Sequence, residues 1–338
     1  MFPLVSGGAP SGTASGCHTN HVSESRSTPA AKTSLTVPLV AVVGATAAGK
    51  TSLSLDLAAR LGGEIVNTDA MQLYRGMDIG TAKLPEAERR GIPHHLIDVL
   101  DLHHPATVAD FQERARTVIA ELRASGRPPV LVGGSALYTR ALVDRFEFPG
   151  TDAAVRERWE AELEQAGPRA LHRRLAELDP VSAERIEQDN GRRIVRALEV
   201  IELTGKPFSA RLPVQEYADP ATVQIGVDID RETLDERIKL RVEEMFAAGF
   251  VDEVAHLIEV GLLETKTAKT AIGYREVAAH LAGELTLPEA KLRTAIKTRQ
   301  FARRQDQWFR KDPRVVWVGY DDPERVEKAL AAIISLDT

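Results

Sequence analysis

Gly44-Ala-Thr-Ala-Ala-Gly49-Lys50-Thr51 follows the apolar run Leu35-Thr-Val-Pro-Leu-Val-Ala-Val-Val43 and precedes leucines at 53, 57 and 61. The octapeptide fits the pattern G-x-x-x-x-G-K-[ST]. In that pattern the glycines let backbone N–H groups turn onto phosphate oxygens, and the following helix adds the positive end of its dipole. The lysine contributes a full charge, and the hydroxyl can ligate Mg²⁺. The pattern alone is loose. A buried strand over 35–43 and a helix over 51–61, stopped by Gly62-Gly63, give it a setting that a plain glycine turn does not need. Gly44, Ala45, Thr46, Ala47, Ala48, Gly49, Lys50 and Thr51 are therefore the expected diphosphate site, with Thr51 on the metal. The loop does not choose among ATP, GTP and other diphosphate esters. An ordinary NTPase also has an apolar strand ending in an Asp that holds Mg²⁺ through water. Here the best such strand, 129–132, runs into Gly-Gly-Ser, and the nearest alternative is Asp69.

Outward from the loop, strands are expected at 64–67, 95–99 and 129–132, with an amphipathic helix at 108–125. This alternation predicts an α/β fold, a P-loop parallel-sheet core with helices on both faces. Residues 151–212 read as charged helices with no strand, an all-helical insertion. Strand character resumes at 222–229 and 314–318. The expected organisation is an extension at 1–36, a catalytic core at 37–150 and 213–325, and the insertion at 151–212.

The 338 residues are 43% hydrophobic and 27% charged, which suits a globular core. The single cysteine, Cys17, excludes a disulfide framework and a four-thiolate zinc site. No apolar run reaches the roughly 20 residues that span a bilayer. Residues 1–36 are rich in Ser, Gly, Thr and Ala and lack an apolar signal core. The expectation is a cytoplasmic protein with a disordered extension or a start assigned too far upstream. His94-His95 and His103-His104 are adjacent pairs whose side chains diverge, the wrong spacing for one metal. A net charge of −6 argues against nucleic acid only on average. Segment 293–311 carries seven Lys/Arg against one acid, with Phe301, Trp308 and Phe309 interleaved. It reads as an RNA-facing stripe or as a surface helix with a half-buried aromatic face. Arg192, Arg193 and Arg196 form a second basic cluster, and Arg156 opens the insertion.

The most specific stretch is Asn67-Thr-Asp-Ala-Met-Gln-Leu-Tyr-Arg-Gly-Met-Asp-Ile-Gly-Thr-Ala-Lys83. After it come Pro93-His-His-Leu-Ile-Asp98, Leu131-Val-Gly-Gly-Ser-Ala-Leu-Tyr138 and Arg193-Ile-Val-Arg-Ala-Leu-Glu199. Ala271-Ile-Gly-Tyr-Arg-Glu276 and Thr298-Arg-Gln-Phe-Ala-Arg-Arg-Gln305 complete the series. With the glycine loop, these stretches closely resemble the tRNA dimethylallyltransferase (isopentenyl-tRNA transferase) family over about residues 37–320. The resemblance implies a Mg²⁺-dependent monomer that carries the dimethylallyl group of dimethylallyl diphosphate to a tRNA, without ATP. The acceptor it implies is N6 of the adenosine 3′ to the anticodon, position 37. It assigns the general base to Asp69, diphosphate contact to Arg241 and the grip on the tRNA anticodon arm to the insertion at 151–212. The tRNA-facing set is then Asp69, Ala70, Met71, Gln72, Ser135, Arg156, Arg192, Arg193, Ile194, Val195, Arg196, Thr270, Ala271, Ile272, Gly273, Tyr274 and Arg275.

The chemistry needs such groups. An allylic diphosphate ionises readily, so stabilising the departing diphosphate is electrostatic work. Lys50, Mg²⁺ on Thr51 and the loop amides suit it. Arg241, one turn after Arg237 on a helix expected at 233–248, is either a clamp on the diphosphate or a solvated helix-face charge. The weakly basic amine must lose its proton to a base such as Asp69, whose competing role is a Mg²⁺ ligand. The expected catalytic set is Asp69, Lys50, Thr51 and Arg241. A stacked adenosine must also be flipped out to be reached. The chain departs from the family pattern in three places: Gly-Ala-Thr-Ala-Ala-Gly for Gly-Pro-Thr-Ala-Ser-Gly, Ser135 where Thr is usual, and Asp306-Gln307 in the basic stripe. The rival readings are a nucleotide-type small-molecule P-loop kinase, which consumes ATP, and a non-catalytic tRNA-binding protein, which makes no product.

Overall fold

The computed structural model describes residues 37–146, 148–211 and 215–335; the expected extension at 1–36 lies outside them. The chain enters through β1 (Leu39–Val43), whose five residues are all buried. Leu39, Ala41 and Val43 pack into one core, and Val40 and Val42 into another. Burial on both faces is what a central parallel strand between two helix layers requires. The loop then turns into α1 (Lys50–Leu61), which ends at the left-handed Gly62. Next come β2 (Glu64–Asn67), β3 (His94–His95), α2 (Val108–Ala124), β4 (Pro129–Val132) and α3 (Ala136–Val143). After four helices described below, the sheet resumes with β5 (Thr222–Asp228) and closes with β6 (Val315–Gly319).

All strands are parallel, in the order β3-β2-β4-β1-β5-β6. From β1 the chain crosses to β2 and leaves a gap that β4 fills later. Connections therefore diverge above the carboxyl end of β1, the place where open α/β sheets bind ligands. The third strand is shorter than the expected 95–99. Leu96 (φ 60°) and Asp98 (φ 57°) are left-handed and break the extended run. The Leu96 carbonyl instead accepts a hydrogen bond from Asn67 Nδ2 at 2.9 Å.

Between β4 and β5 lie α4 (Ala153–Ala166), α5 (Pro168–Leu178), α6 (Pro180–Arg185) and α7 (Gly191–Thr204). They bury their own cluster of Trp159, Leu171, Leu175, Ile194 and Leu198. Pro168 and Pro180 stand at helix starts, where a missing N–H costs nothing. The chain leaves and re-enters the sheet side by side, at an antiparallel bridge between Asp144 and Tyr217. Buried Asp144 there accepts from Arg140 Nε (2.5 Å) and pairs with Arg314 Nη2 (2.8 Å).

Downstream, α8 (Arg231–Ala247), α9 (Phe250–Glu259), α10 (Tyr274–Leu281) and α11 (Leu287–Phe309) precede β6, and α12 (Arg325–Ile334) follows it. A capping box at Thr286 and Glu289 starts α11, and Phe250, Val254, Tyr274 and Val277 plant α9 and α10 in the first core. Among the described residues no helix is long and apolar enough to cross a membrane.

Glu199 on α7 is fully buried and accepts hydrogen bonds from Thr151 Oγ1 (2.6 Å), Arg156 Nη2 (2.7 Å) and Arg196 Nη1 (2.9 Å). Burial pushes its pKa up, but the bonds from Arg156, Thr151 and Arg196 outweigh that and lower it to about 2. A carboxyl depressed from 4.5 stabilises the fold fully above pH 4.5, and the contribution fades as pH falls toward 2. Glu199→Gln is expected to cost about 3 kcal/mol at pH 7. The difference between wild type and variant in urea unfolding should shrink between pH 4.5 and 2; a difference constant over that range contradicts the assignment.

Candidate active site

Loop 44–49 turns on left-handed backbone at Gly44 (φ 133°), Ala47 (φ 63°) and Gly49 (φ 104°). A Cβ at Gly44 would stand 3.2 Å from the Val227 carbonyl of β5, so glycine is set there by conformation and space together. Lys50 reaches back across the loop and donates from Nζ to Ala45 O at 2.6 Å. Two arginines one turn apart on α8 also reach the loop. Arg241 donates to Thr46 Oγ1 (3.2 Å), and Arg237 Nε donates to Ala47 O (2.8 Å). Burial, with the Arg241 charge assisting and Asp69 opposing, lowers the Lys50 pKa to about 7.

Asp69 stands just past β2. Its N–H donates to Asn67 Oδ1 (2.9 Å), and its Oδ1 accepts from Met71 N (2.9 Å). This Asx-type turn fixes the carboxylate at the cavity wall. The cavity measures about 710 Å³ and is lined by Thr46, Lys50, Thr51, Asp69, Gln72 and Arg241, with Ile65, Leu84, Ile97, Val132 and Leu240 as apolar wall. That size suits a small organic ligand with room for a second group. The structure thus brings the four expected catalytic residues to one cavity.

Gln305, on α11, was not singled out by the sequence reading. It is buried, and its Oε1 accepts the Thr46 N–H (2.8 Å) while Nε2 donates to Gly134 O (2.8 Å). It therefore ties the glycine loop to the β4–α3 turn. A Cβ at Gly134 would lie 2.1 Å from Gln305 Nε2, and one at Gly133 would lie 2.2 Å from Thr68 Oγ1. The Gly-Gly that ends β4 exists to admit these neighbours. The Gln-to-Gly pairing carries no spacing signal, being set by an approach across 171 residues.

The tRNA-facing candidates scatter more widely. Asp69 and Gln72 line the cavity, Ala70 and Met71 pack on the core, and Ser135 is the N-cap of α3. Arg156 and Arg196 are engaged with Glu199. Ile194 and Val195 are buried in the insertion core, whereas Arg192 and Arg193 are exposed. Thr270 and Arg275 are exposed, Ile272 is half-buried, and Ala271, Gly273 and Tyr274 are buried. On α11, Lys297, Arg303 and Arg310 pair with Glu276, Asp235 and Asp228. Phe309 is buried while Trp308 is exposed, with Arg140 over its ring at 5.4 Å.

Among the described residues no group of three His, Cys, Asp or Glu side chains could hold a metal. An exposed Thr51 hydroxyl beside a phosphate-type loop nevertheless fits Mg²⁺, which is normally held by few protein ligands plus phosphate oxygens and water.

Fold and cavity together define a parallel α/β protein with a glycine loop at the sheet's switch point and a cavity where Lys50 and Arg241 reach that loop beside Asp69. The chain belongs to the IPP transferase family, whose sequence model matches residues 72–312. It is 68% identical over 296 residues to the tRNA dimethylallyltransferase of Nocardioides sp., covering 88% of this chain and 96% of that one. Against the tRNA dimethylallyltransferase of Thermobifida fusca it is 58% identical, covering 80% and 84%. Among solved structures it is similar to the full-length tRNA isopentenylpyrophosphate transferase of Bacillus halodurans. The TM-score is 0.65 and the identity 39%, over 89% of this chain and 97% of that one. It is also similar to a eukaryotic dimethylallyltransferase caught acting on tRNA, at TM-score 0.74 and 26% identity over 84% and 74%.

A diphosphate beside Lys50 raises its pKa from about 7, so at pH 8 binding draws a proton from solvent. Calorimetry of Mg²⁺-diphosphate in two buffers of different ionisation enthalpy should show more proton uptake by wild type than by Lys50→Met. Equal proton counts would remove Lys50 from contact with the anion.

Proposed function

We propose that this enzyme transfers the dimethylallyl group of dimethylallyl diphosphate to the exocyclic N6 of adenosine 37 in tRNA. The observation that carries the reading is the meeting, in one cavity, of the Lys50 and Arg241 cations and the Asp69 carboxylate. The names of the relatives, and the eukaryotic structure acting on tRNA, support the substrate pair.

In this mechanism the amides of Ala47, Gly49, Lys50 and Thr51, with the Lys50 and Arg241 side chains, hold the diphosphate, while the Thr46 N–H stays on Gln305 and the Ala48 N–H on Ala45 O. The allylic C–O bond breaks with its electron pair passing to the leaving oxygen, and the cationic pocket stabilises the charge that develops there. The N6 lone pair forms the new N–C bond, and the N6 proton passes to Asp69. Thr51 would hold Mg²⁺, which would neutralise charge on the diphosphate. The apolar wall shelters the allylic carbon from water. Gln72, Ser135, Arg192, Arg193, Thr270 and Arg275 are proposed as side-chain contacts to the tRNA. The enzyme works as a cytoplasmic monomer.

The kinase reading is not favoured, because β4 ends in Gly-Gly held against Thr68 and Gln305 and not in a metal-binding carboxylate. Incubation with Mg²⁺, unmodified tRNA and dimethylallyl diphosphate, without ATP, should give adenosine heavier by one dimethylallyl group on nucleoside mass analysis. ATP hydrolysis without that product would overturn the reading. Asp69→Ala should slow transfer by about 10²–10⁴-fold while diphosphate binding persists; undiminished turnover would remove Asp69 from the mechanism.

A further inference from the structure

Glu253, in the first turn of α9, gathers four donors. Its Oε2 accepts from the backbone N–H groups of Asp78 (3.0 Å) and Ile79 (2.6 Å), and its Oε1 from Gly80 N–H (3.1 Å) and Tyr274 Oη (2.7 Å). Three successive amides converging on one carboxylate form an anion nest filled by the protein's own side chain. The seat is sterically specific. A Cβ on Gly80 would lie 2.3 Å from the Phe250 ring and 2.5 Å from the Tyr274 ring, and those rings meet edge-on at 5.0 Å. Only glycine lets the loop settle onto this aromatic pair.

What the seat positions is the cavity wall. Residues 77–83 form a tight loop: Ala82 N–H donates to Ile79 O (3.0 Å), Lys83 N–H donates to Asp78 O (3.0 Å), and Lys83 Nζ pairs with Asp78 (2.7 Å). The outer turn, Thr81 to Leu84, lines the cavity, and the Thr81 carbonyl accepts from Gln72 Nε2 (3.1 Å). Tyr274 opens α10, directly after the exposed Thr270 and the half-buried Ile272. One carboxylate thus links α9, the start of α10, the 77–83 loop and, through that loop, Gln72.

We infer that Glu253 is a positioning residue for the RNA substrate: it locks the 77–83 loop and the α10 start into one rigid wall against which Gln72 presents the acceptor base. The inference rests on the transfer reading above. The hydrogen bonds that hold the glycine loop, Lys50 and Arg241 go to other partners, so the two substrates should respond differently to its loss.

Steady-state transfer by the full-length chain tests it, with dimethylallyl diphosphate and tRNA varied in turn. Product formation by wild type checks the transfer reading itself, separately from Glu253. Glu253→Gln sets an amide N–H₂ against the converging donors. It is expected to lower kcat/KM for tRNA at least tenfold while KM for dimethylallyl diphosphate stays within twofold. Glu253→Asp, which keeps the charge, should recover part of that loss. Tyr274→Phe removes one donor, leaves the three amide bonds, and keeps the ring that Gly80 rests on. It should lower kcat/KM for tRNA severalfold with an unchanged melting temperature, and it decides the matter if Glu253→Gln does not fold. Amide hydrogen exchange at 78–80 should quicken in Glu253→Gln with Lys50 and Thr51 unaffected. Wild-type kinetics toward tRNA in both Glu253→Gln and Tyr274→Phe, or equal losses toward both substrates, would overturn the inference.

Discussion

Lys50 and Arg241 both reach loop 44–49 in one cavity that holds part of each side chain away from water. Burial penalises both charges and the two repel, which is why the Lys50 pKa lies at about 7 instead of its ordinary 10.5. Such a site is stable only because the surrounding fold over-determines it, and it gains most from an anion. Much of the architecture serves that constraint. The central parallel strand delivers the loop at a switch point, α8 supplies the arginines, and Gln305 keeps the loop from relaxing away from the β4–α3 turn. The preorganised charge is what an electrostatically driven departure of diphosphate requires.

Opposite the cations, the cavity wall is built from a different part of the sequence and by different forces. Asp69 is held by an Asx-type turn, Gln72 by the Thr81 carbonyl, and the loop bearing Thr81 by Glu253 and the Phe250–Tyr274 pair. The side of the cavity at Lys50 and Arg241 thus depends on glycine conformation and helix-borne cations, and the side at Gln72 on a hydrogen-bonded loop seated on aromatic rings.

The core fold was legible where burial writes a period into the sequence. β1, β2 and β4 came out as buried strands because both faces are covered, and the loop-to-helix step at Lys50 follows from its glycines and from the leucines at 53 and 57. The third strand was misjudged because an apolar His-Leu-Ile-Asp-Val run looks extended, while left-handed Leu96 and Asp98 turn it aside to satisfy Asn67. Lys50, Thr51 and Asp69 were readable as local chemistry. Gln305 and Glu253 were not, because their roles arise from approaches across 171 and about 174 residues. The candidate RNA contacts were legible as a family pattern but not as surface. Ile194, Val195 and Tyr274 prove to be core residues, and Arg156 and Arg196 neutralise a buried glutamate that only the packed insertion reveals.

The central claim is that diphosphate and acceptor amine meet between the Lys50–Arg241 pair and Asp69. A crystal structure with Mg²⁺, an unreactive dimethylallyl diphosphate analogue and an anticodon stem-loop tests it most directly. The account predicts the diphosphate within hydrogen-bond reach of Lys50, Arg241 and the 49–51 amides, with an Asp69 oxygen about 2.6–3.2 Å from the acceptor nitrogen. An Asp69 bound to the metal and out of reach of that nitrogen, or a diphosphate seated away from the glycine loop, would contradict it.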